Sequence, residues 1–293
     1  MKQLFGRRTR LGMAAMLALL LLSAPMHDAL AAPERNKEGN AMQRLQATEK
    51  NRQKFLGEQQ SATAKTDPDL VAIKERLLYG EIADRGTLND RQRMLVTLVV
   101  LATTRALDDM KAQTAAALRI GLSPVEIKEA LYQCAPYIGF PGTESALGPV
   151  NEAFAEMGIA LPVESQATVT EESRFRDGLT AQKAIFGDSI DKIHASAPAG
   201  QKDIMVNYLS AFCFGDFYTR KGLDLPTREL LTFAIVSALG GCEAQVKAHV
   251  QGNANMGNSK QNLIDALAQM LPYIGFPRTL NALGCVNAVL QDS

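Results

Sequence analysis

The chain has 293 residues, with 31 Lys+Arg against 31 Asp+Glu, and so no net charge at neutral pH. That balance leaves no basic footprint, and no nucleic-acid partner is expected. The four cysteines, Cys134, Cys213, Cys242 and Cys285, lie far apart with no C-x-x-C pair, so zinc-type spacing is absent; neither a metal nor a cofactor is expected.

The chain opens with Met1-Lys2 and Arg7, Arg8 and Arg10, followed by an apolar run from Leu11 to Leu22 and then Ala29-Leu30-Ala31. A basic start, a short apolar stretch and an A-x-A site read as a signal peptide over residues 1–31, cleaved after Ala31. The apolar run is short for a membrane span. The expectation is a periplasmic or secreted protein that is off the membrane after cleavage.

Residues 32–40 are polar, and Ala41 to Gly57 has helical character with many charges. Gln59 to Thr66 reads as a loop. Asp67-Pro68 starts a helix toward Tyr79-Gly80, with Asp67 as N-cap and Pro68 at the first helical position. Leu95 to Thr104 is an apolar run that alone fits a buried strand or a buried helix. Its counterpart, Leu230 to Leu239, has Asp224-Leu225-Pro226 before it and Gly240-Gly241 after it, so both read as helices. Ser123-Pro124-Val125-Glu126 is a capping box. The helix it opens is expected to stop at Pro136, with a last helix running to about Gly158.

Pro136-Tyr137-Ile138-Gly139-Phe140-Pro141 returns as Pro272-Tyr273-Ile274-Gly275-Phe276-Pro277, at an offset of 136 residues. Ala112 then meets Ala248, Gln113 meets His249, and Gly121 meets Gly257. Upstream the offset is 135, with Arg93 on Arg228 and Thr97 on Thr232. The chain is therefore an all-α tandem duplication, with repeats at about 41–158 and 173–292 and a Thr/Ser/Glu-rich linker over 159–172.

The repeats differ where chemistry would sit. If the segment after Gly240-Gly241 is helical, Cys242, Gln245 and His249 fall at i, i+3 and i+7 on one face. A thiolate is favoured in a first helical turn, and a His two turns on could move its proton. The plainer reading is a small apolar Cys used in packing and a His satisfied by a core partner. The first repeat has Ala106, Asp109 and Gln113 at these places, so one repeat carries a site and the other is degenerate.

The apolar helix, the short break, the His, the capped helix, Pro-Tyr-x-Gly-x-Pro and Asn-Ala-Leu together resemble the carboxymuconolactone decarboxylase family, which includes the alkyl hydroperoxidase AhpD. The resemblance implies an all-α fold and a homo-oligomer. In the AhpD branch the motif is C-x-x-C-x-x-x-H with a Glu on the preceding helix. Cys242 matches the first Cys, Gln245 stands at the second, His249 matches the His, and Glu229 is the nearest candidate for the Glu. In the decarboxylase branch the His is kept without the thiols, and an acid commonly sits where Gln245 stands. The sequence departs from both patterns.

The first expectation is a peroxiredoxin-like, thiol-dependent oxidoreductase. Cys242 would attack a hydroperoxide, His249 and Glu229 would relay the proton, and an external thiol would resolve the product. The second is a cofactor-free decarboxylase or lactone-type enzyme on a small carboxylated substrate, with His249 as general acid/base. Arg228, Gln245 and Tyr273 are candidate substrate-binding residues. Arg228 reads equally as an ion pair to a neighbouring subunit, and Tyr273 as part of a structural bend. The third is a non-catalytic small-molecule binder on the same fold.

Overall fold

The computed structural model describes residues 37–291, so the expected leader and most of the polar stretch before Ala41 lie outside the described residues. The first repeat contributes α1 (Lys37–Leu56), α2 (Pro68–Leu77), α3 (Asp90–Thr104), α4 (Met110–Arg119), α5 (Pro124–Tyr132), α6 (Ala135–Ile138) and α7 (Phe140–Glu156). The second contributes α8 (Arg174–Phe186), α9 (Ser189–Ser196), α10 (Leu225–Leu239), α11 (Glu243–Asn255) and α12 (Lys260–Val289). A π-wound turn, Leu78–Ile82, extends α2, and a longer π-wound helix, Asp203–Tyr218, precedes α10. No strand occurs among the described residues, and none of their helices is long and apolar enough to cross a membrane.

The two apolar runs form the centre. α3 and α10 pack against one another, and each has eleven consecutive buried residues, Arg93 to Thr103 and Arg228 to Ala238. A helix buried on every side shows no amphipathic stripe, which is why periodicity alone left these runs open between strand and helix. Their starts are fixed locally. Asn89 and Gln92 form a reciprocal cap on α3, and Asp224 accepts from the Thr227 amide at 2.9 Å on α10. Residues 41–291 form one unit around this pair, with the two repeats sharing a core.

The duplication extends to the backbone. Ser123 caps α5 and Ser259 caps α12, each with a reciprocal partner three residues on. Gly139 (φ 77°, ψ 163°) and Gly275 (φ 72°, ψ 170°) adopt one conformation, in a region that residues with a Cβ rarely enter. The break therefore falls at these glycines. The helix opened by Ser123 ends at Tyr132, four residues before the expected stop at Pro136; Pro136 sits inside the separate short α6, and Pro272 inside the first part of α12. Asp67 occupies the N-cap position of α2 without capping it; its carboxylate accepts instead from the Thr66 hydroxyl at 2.7 Å.

α8 crosses the long π-wound helix at Gly178 and Gly215. A Cβ on Gly178 would stand 2.0 Å from the Ser210 carbonyl oxygen, and one on Gly215 would stand 2.2 Å from that of Arg174. Both obstacles are backbone, so a methyl group forces the helices apart. Gly178→Ala is expected to cost about 1–3 kcal/mol or more, read as a lowered midpoint in urea unfolding; an unchanged midpoint would contradict this packing.

Candidate active site

α10 and α11 bring Glu229 and His249 together. His249 Nδ1 lies 2.9 Å from Glu229 Oε2, with the Glu229 side chain wholly buried and His249 nearly so. The carboxylate accepts from Nδ1–H, which leaves Nε2 as the working nitrogen, and Nε2 has no hydrogen-bond partner among the described residues. Glu229 Oε1 is also buried without a partner. Asn253, one turn beyond His249, donates to the Glu229 carbonyl at 2.9 Å and to the His249 carbonyl at 2.7 Å, locking α11 onto α10.

The walls are aromatic and come from both repeats. Phe186, at the end of α8, meets the His249 ring edge-on at 5.6 Å. Tyr137, from the first repeat, meets it edge-on at 5.9 Å. The Tyr137 hydroxyl shares a 2.7 Å hydrogen bond with the Tyr218 hydroxyl, which shares another of 2.7 Å with Thr232. Burial, reinforced by the Glu229 charge, pushes both phenols well above their ordinary range, so they are neutral hydrogen-bonding groups.

The remaining sequence candidates fall elsewhere. Cys242 is the N-cap of α11, with φ −133° and ψ 46°, so it does not share the helical face of His249. Its thiol donates to the Val236 carbonyl at 3.1 Å and borders a small cavity with Arg278 and Cys285. Burial, then the nearby Glu243 and Cys285, raise its pKa above the ordinary thiol value, which reverses the expected low pKa. Gln245 is exposed. Arg228 is fully buried, donates to Glu129 Oε2 at 2.9 Å and to Gln133 Oε1 at 3.0 Å, and so faces the other repeat instead of a substrate or a neighbouring subunit. Tyr273 borders the first repeat's cavity with Tyr79 and Gln113, away from His249; its counterpart Tyr137 takes the place beside the imidazole.

The cysteine that does stand by the dyad is Cys213, read from sequence as packing. Its thiol donates weakly to the Tyr137 hydroxyl at 3.9 Å, and burial pushes it up to about 12, so it is inert at neutral pH. Cys134, Cys213 and Cys285 are all buried, which leaves Cys242 as the half-buried thiol that reagents can reach. A raised pKa means less thiolate at neutral pH. Alkylation of native protein is therefore expected to rise with pH to a midpoint above the free-thiol value of about 8.5, and Cys242→Ser should abolish that phase; a midpoint near 7 would refute this placement.

The pattern of the carboxymuconolactone decarboxylase family matches twice, over residues 68–152 and 205–288. The chain belongs to the carboxymuconolactone decarboxylase family. The 4-carboxymuconolactone decarboxylase of Acinetobacter baylyi is 26% identical over 125 residues, which are 42% of this chain and 92% of that relative. One repeat is thus about one relative long, as tandem duplication of a carboxymuconolactone decarboxylase unit requires. The second family match contains the whole Glu229–His249 pair. At the aligned positions the first holds Met94 and Gln113, which can neither orient nor carry out the same proton transfer.

Proposed function

We propose that the second repeat is a cofactor-free acid–base site acting on a small carboxylated, lactone-type substrate, with loss of CO2 as the reaction class. The observation that carries this reading is the buried Glu229–His249 hydrogen bond with Nε2 left open. The name of the Acinetobacter relative points to the same chemistry. In the step, the bond to the carboxylate carbon breaks, CO2 leaves, and the electron pair delocalises through the conjugated double bond into the lactone carbonyl. His249 Nε2–H protonates the resulting enolate at the carbon beside that carbonyl, and the imidazole regains a proton from water. Glu229 holds the ring and fixes the direction of Nε2. The aromatic walls keep water from the carboxylate, which favours a transition state with dispersed charge.

Cys242 has no part in this step. CO2 release from 4-carboxymuconolactone and related small carboxylated lactones should proceed in Cys242→Ser at no less than half the rate of the unmodified chain. Activity that vanished with the thiol would return the protein to the peroxiredoxin-like reading, in which a sulfenic acid forms at Cys242 and an external thiol reduces it.

A further inference from the structure

A chain of side-chain hydrogen bonds runs from Arg228 to the ring beside His249, and its direction can be worked out. Arg228 can only donate, so the atom it meets at 3.0 Å is Gln133 Oε1, and this orients the Gln133 amide. Gln133 Nε2 then donates to Thr232 Oγ1 at 3.3 Å. Beyond Thr232 come the hydroxyls of Tyr218 and Tyr137, joined by two contacts of 2.7 Å. Three hydroxyls joined by two bonds leave one hydrogen over, at Thr232 or at Tyr137. Thr232 is fully buried, and its hydroxyl meets no other acceptor among the described residues. A hydrogen stranded there would cost the full desolvation of a buried donor. Thr232 therefore donates to Tyr218, Tyr218 donates to Tyr137, and the spare hydrogen is on Tyr137 Oη. The Cys213 thiol approaches that same oxygen at 3.9 Å as a weak donor and gives the hydrogen no acceptor.

The first repeat begins the same chain and ends it the other way. Arg93 donates to Gln269 Oε1 at 3.2 Å, and Gln269 Nε2 donates to Thr97 Oγ1 at 3.1 Å. Thr97 then donates to the Arg93 carbonyl at 2.9 Å. With that hydrogen used, Tyr273 must be the donor in its own bond to Thr97. Tyr273 has no hydrogen to spare, and Tyr137 has one.

We propose that Tyr137, supplied by the first repeat, donates this hydrogen to the lactone carbonyl oxygen of the substrate at His249. The chemistry rests on the acid–base reading of His249; the donor rests on the direction of the hydrogen bonds. The two rings stand 5.9 Å apart, so the donor and the acid belong to one site. The carbonyl oxygen receives the electron pair released with CO2, and a donor fixed there strengthens its bond as the charge develops. Thr232 acts through Tyr137 and is a positioning residue.

γ-Valerolactone, which has the carbonyl but no carboxylate to lose, is the probe. Its binding to the full chain is followed by titration calorimetry and by the infrared stretch of its labelled carbonyl. Tyr137→Phe is expected to weaken binding about three- to tenfold, the worth of one neutral hydrogen bond, and to raise the stretching frequency of the bound carbonyl. Thr232→Val lets Tyr137 turn its hydrogen onto Tyr218, so the stretch should rise there too. Thr232→Ser and the first repeat's Thr97→Val should leave it in place. In the reaction, Tyr137→Phe should lower CO2 release by about 10²–10³, mainly in kcat. The proposal is overturned if the unmodified chain shows no saturable lactone binding, or if the stretch is unmoved in Tyr137→Phe or in Thr232→Val. It is overturned equally if Tyr137→Phe releases CO2 at the parental rate, a result that leaves the role of His249 standing. Lactone binding that depends on Tyr137 in a chain that releases no CO2 would support the donor and strike the reaction alone. Thr232→Val removes no ring, so the stretch stays readable if Tyr137→Phe folds poorly.

Discussion

His249→Ala is expected to lower turnover by about 10²–10⁴, the range contributed by a positioned general acid or base. The loss should fall on kcat with KM little changed, because the imidazole acts through a proton transfer made in the transition state and contributes little to holding the substrate. Glu229→Gln should lose less. Its amide oxygen can still accept from Nδ1–H at the 2.9 Å contact, but the hydrogen bond is no longer charge-assisted. The two losses should not add, since both act through one imidazole. Steady-state CO2 release by the three variants, the third being the double, checks this. A His249→Ala enzyme within threefold of the unmodified chain would sink the acid–base reading whatever the thiol does.

Glu129→Ala is expected to destabilise the fold by about 3–5 kcal/mol, because it strands the fully buried guanidinium of Arg228. Glu129 also takes a bidentate contact from Arg220, at 2.9 and 3.0 Å, so a single carboxylate neutralises two arginines. Replacing both sides, as in Glu129→Leu with Arg228→Met, should recover much of the loss, since an apolar pair of similar volume removes both buried charges together. Denaturant unfolding of the single and double variants reads this out, with exposed Glu144→Ala expected within about 0.5 kcal/mol of the parent. A Glu129→Ala protein as stable as that control would show that the pair does not join the repeats energetically.

The repeat was legible because it is written in unbroken identity. Pro-Tyr-Ile-Gly-Phe-Pro recurs whole, and its glycine repeats the same φ and ψ in both places. Glu229 was legible to within a residue, since the apolar run fixes the helix and only one acid lies on it near the right level. Cys242 was misplaced for a local reason. Spacing of i and i+7 implies a shared face only if both residues lie within the helix, and Cys242 is the cap, where the backbone turns away. Tyr137 was missed, and its twin Tyr273 was named in its place. Nothing in a one-dimensional pattern says that the tyrosine beside an imidazole comes from the other copy, 112 residues upstream of that imidazole. Arg228 was likewise hidden, since its carboxylate lies 99 residues away. Asn253 stood four residues beyond His249 on the same face, and that spacing was sufficient to find it.

The tyrosines are exchanged: Tyr137 stands beside the imidazole of the second repeat and Tyr273 borders the first repeat's cavity. In a pair of identical subunits, any substitution lands in both sites at once, so neither can drift without the other. Fusing two copies in one gene removes that tie. One half can lose its acid and its imidazole while still lending its aromatic ring to the half that kept them. Excised alone, the second half would keep His249 and Glu229 yet lack Tyr137, so the first half cannot be discarded as ballast.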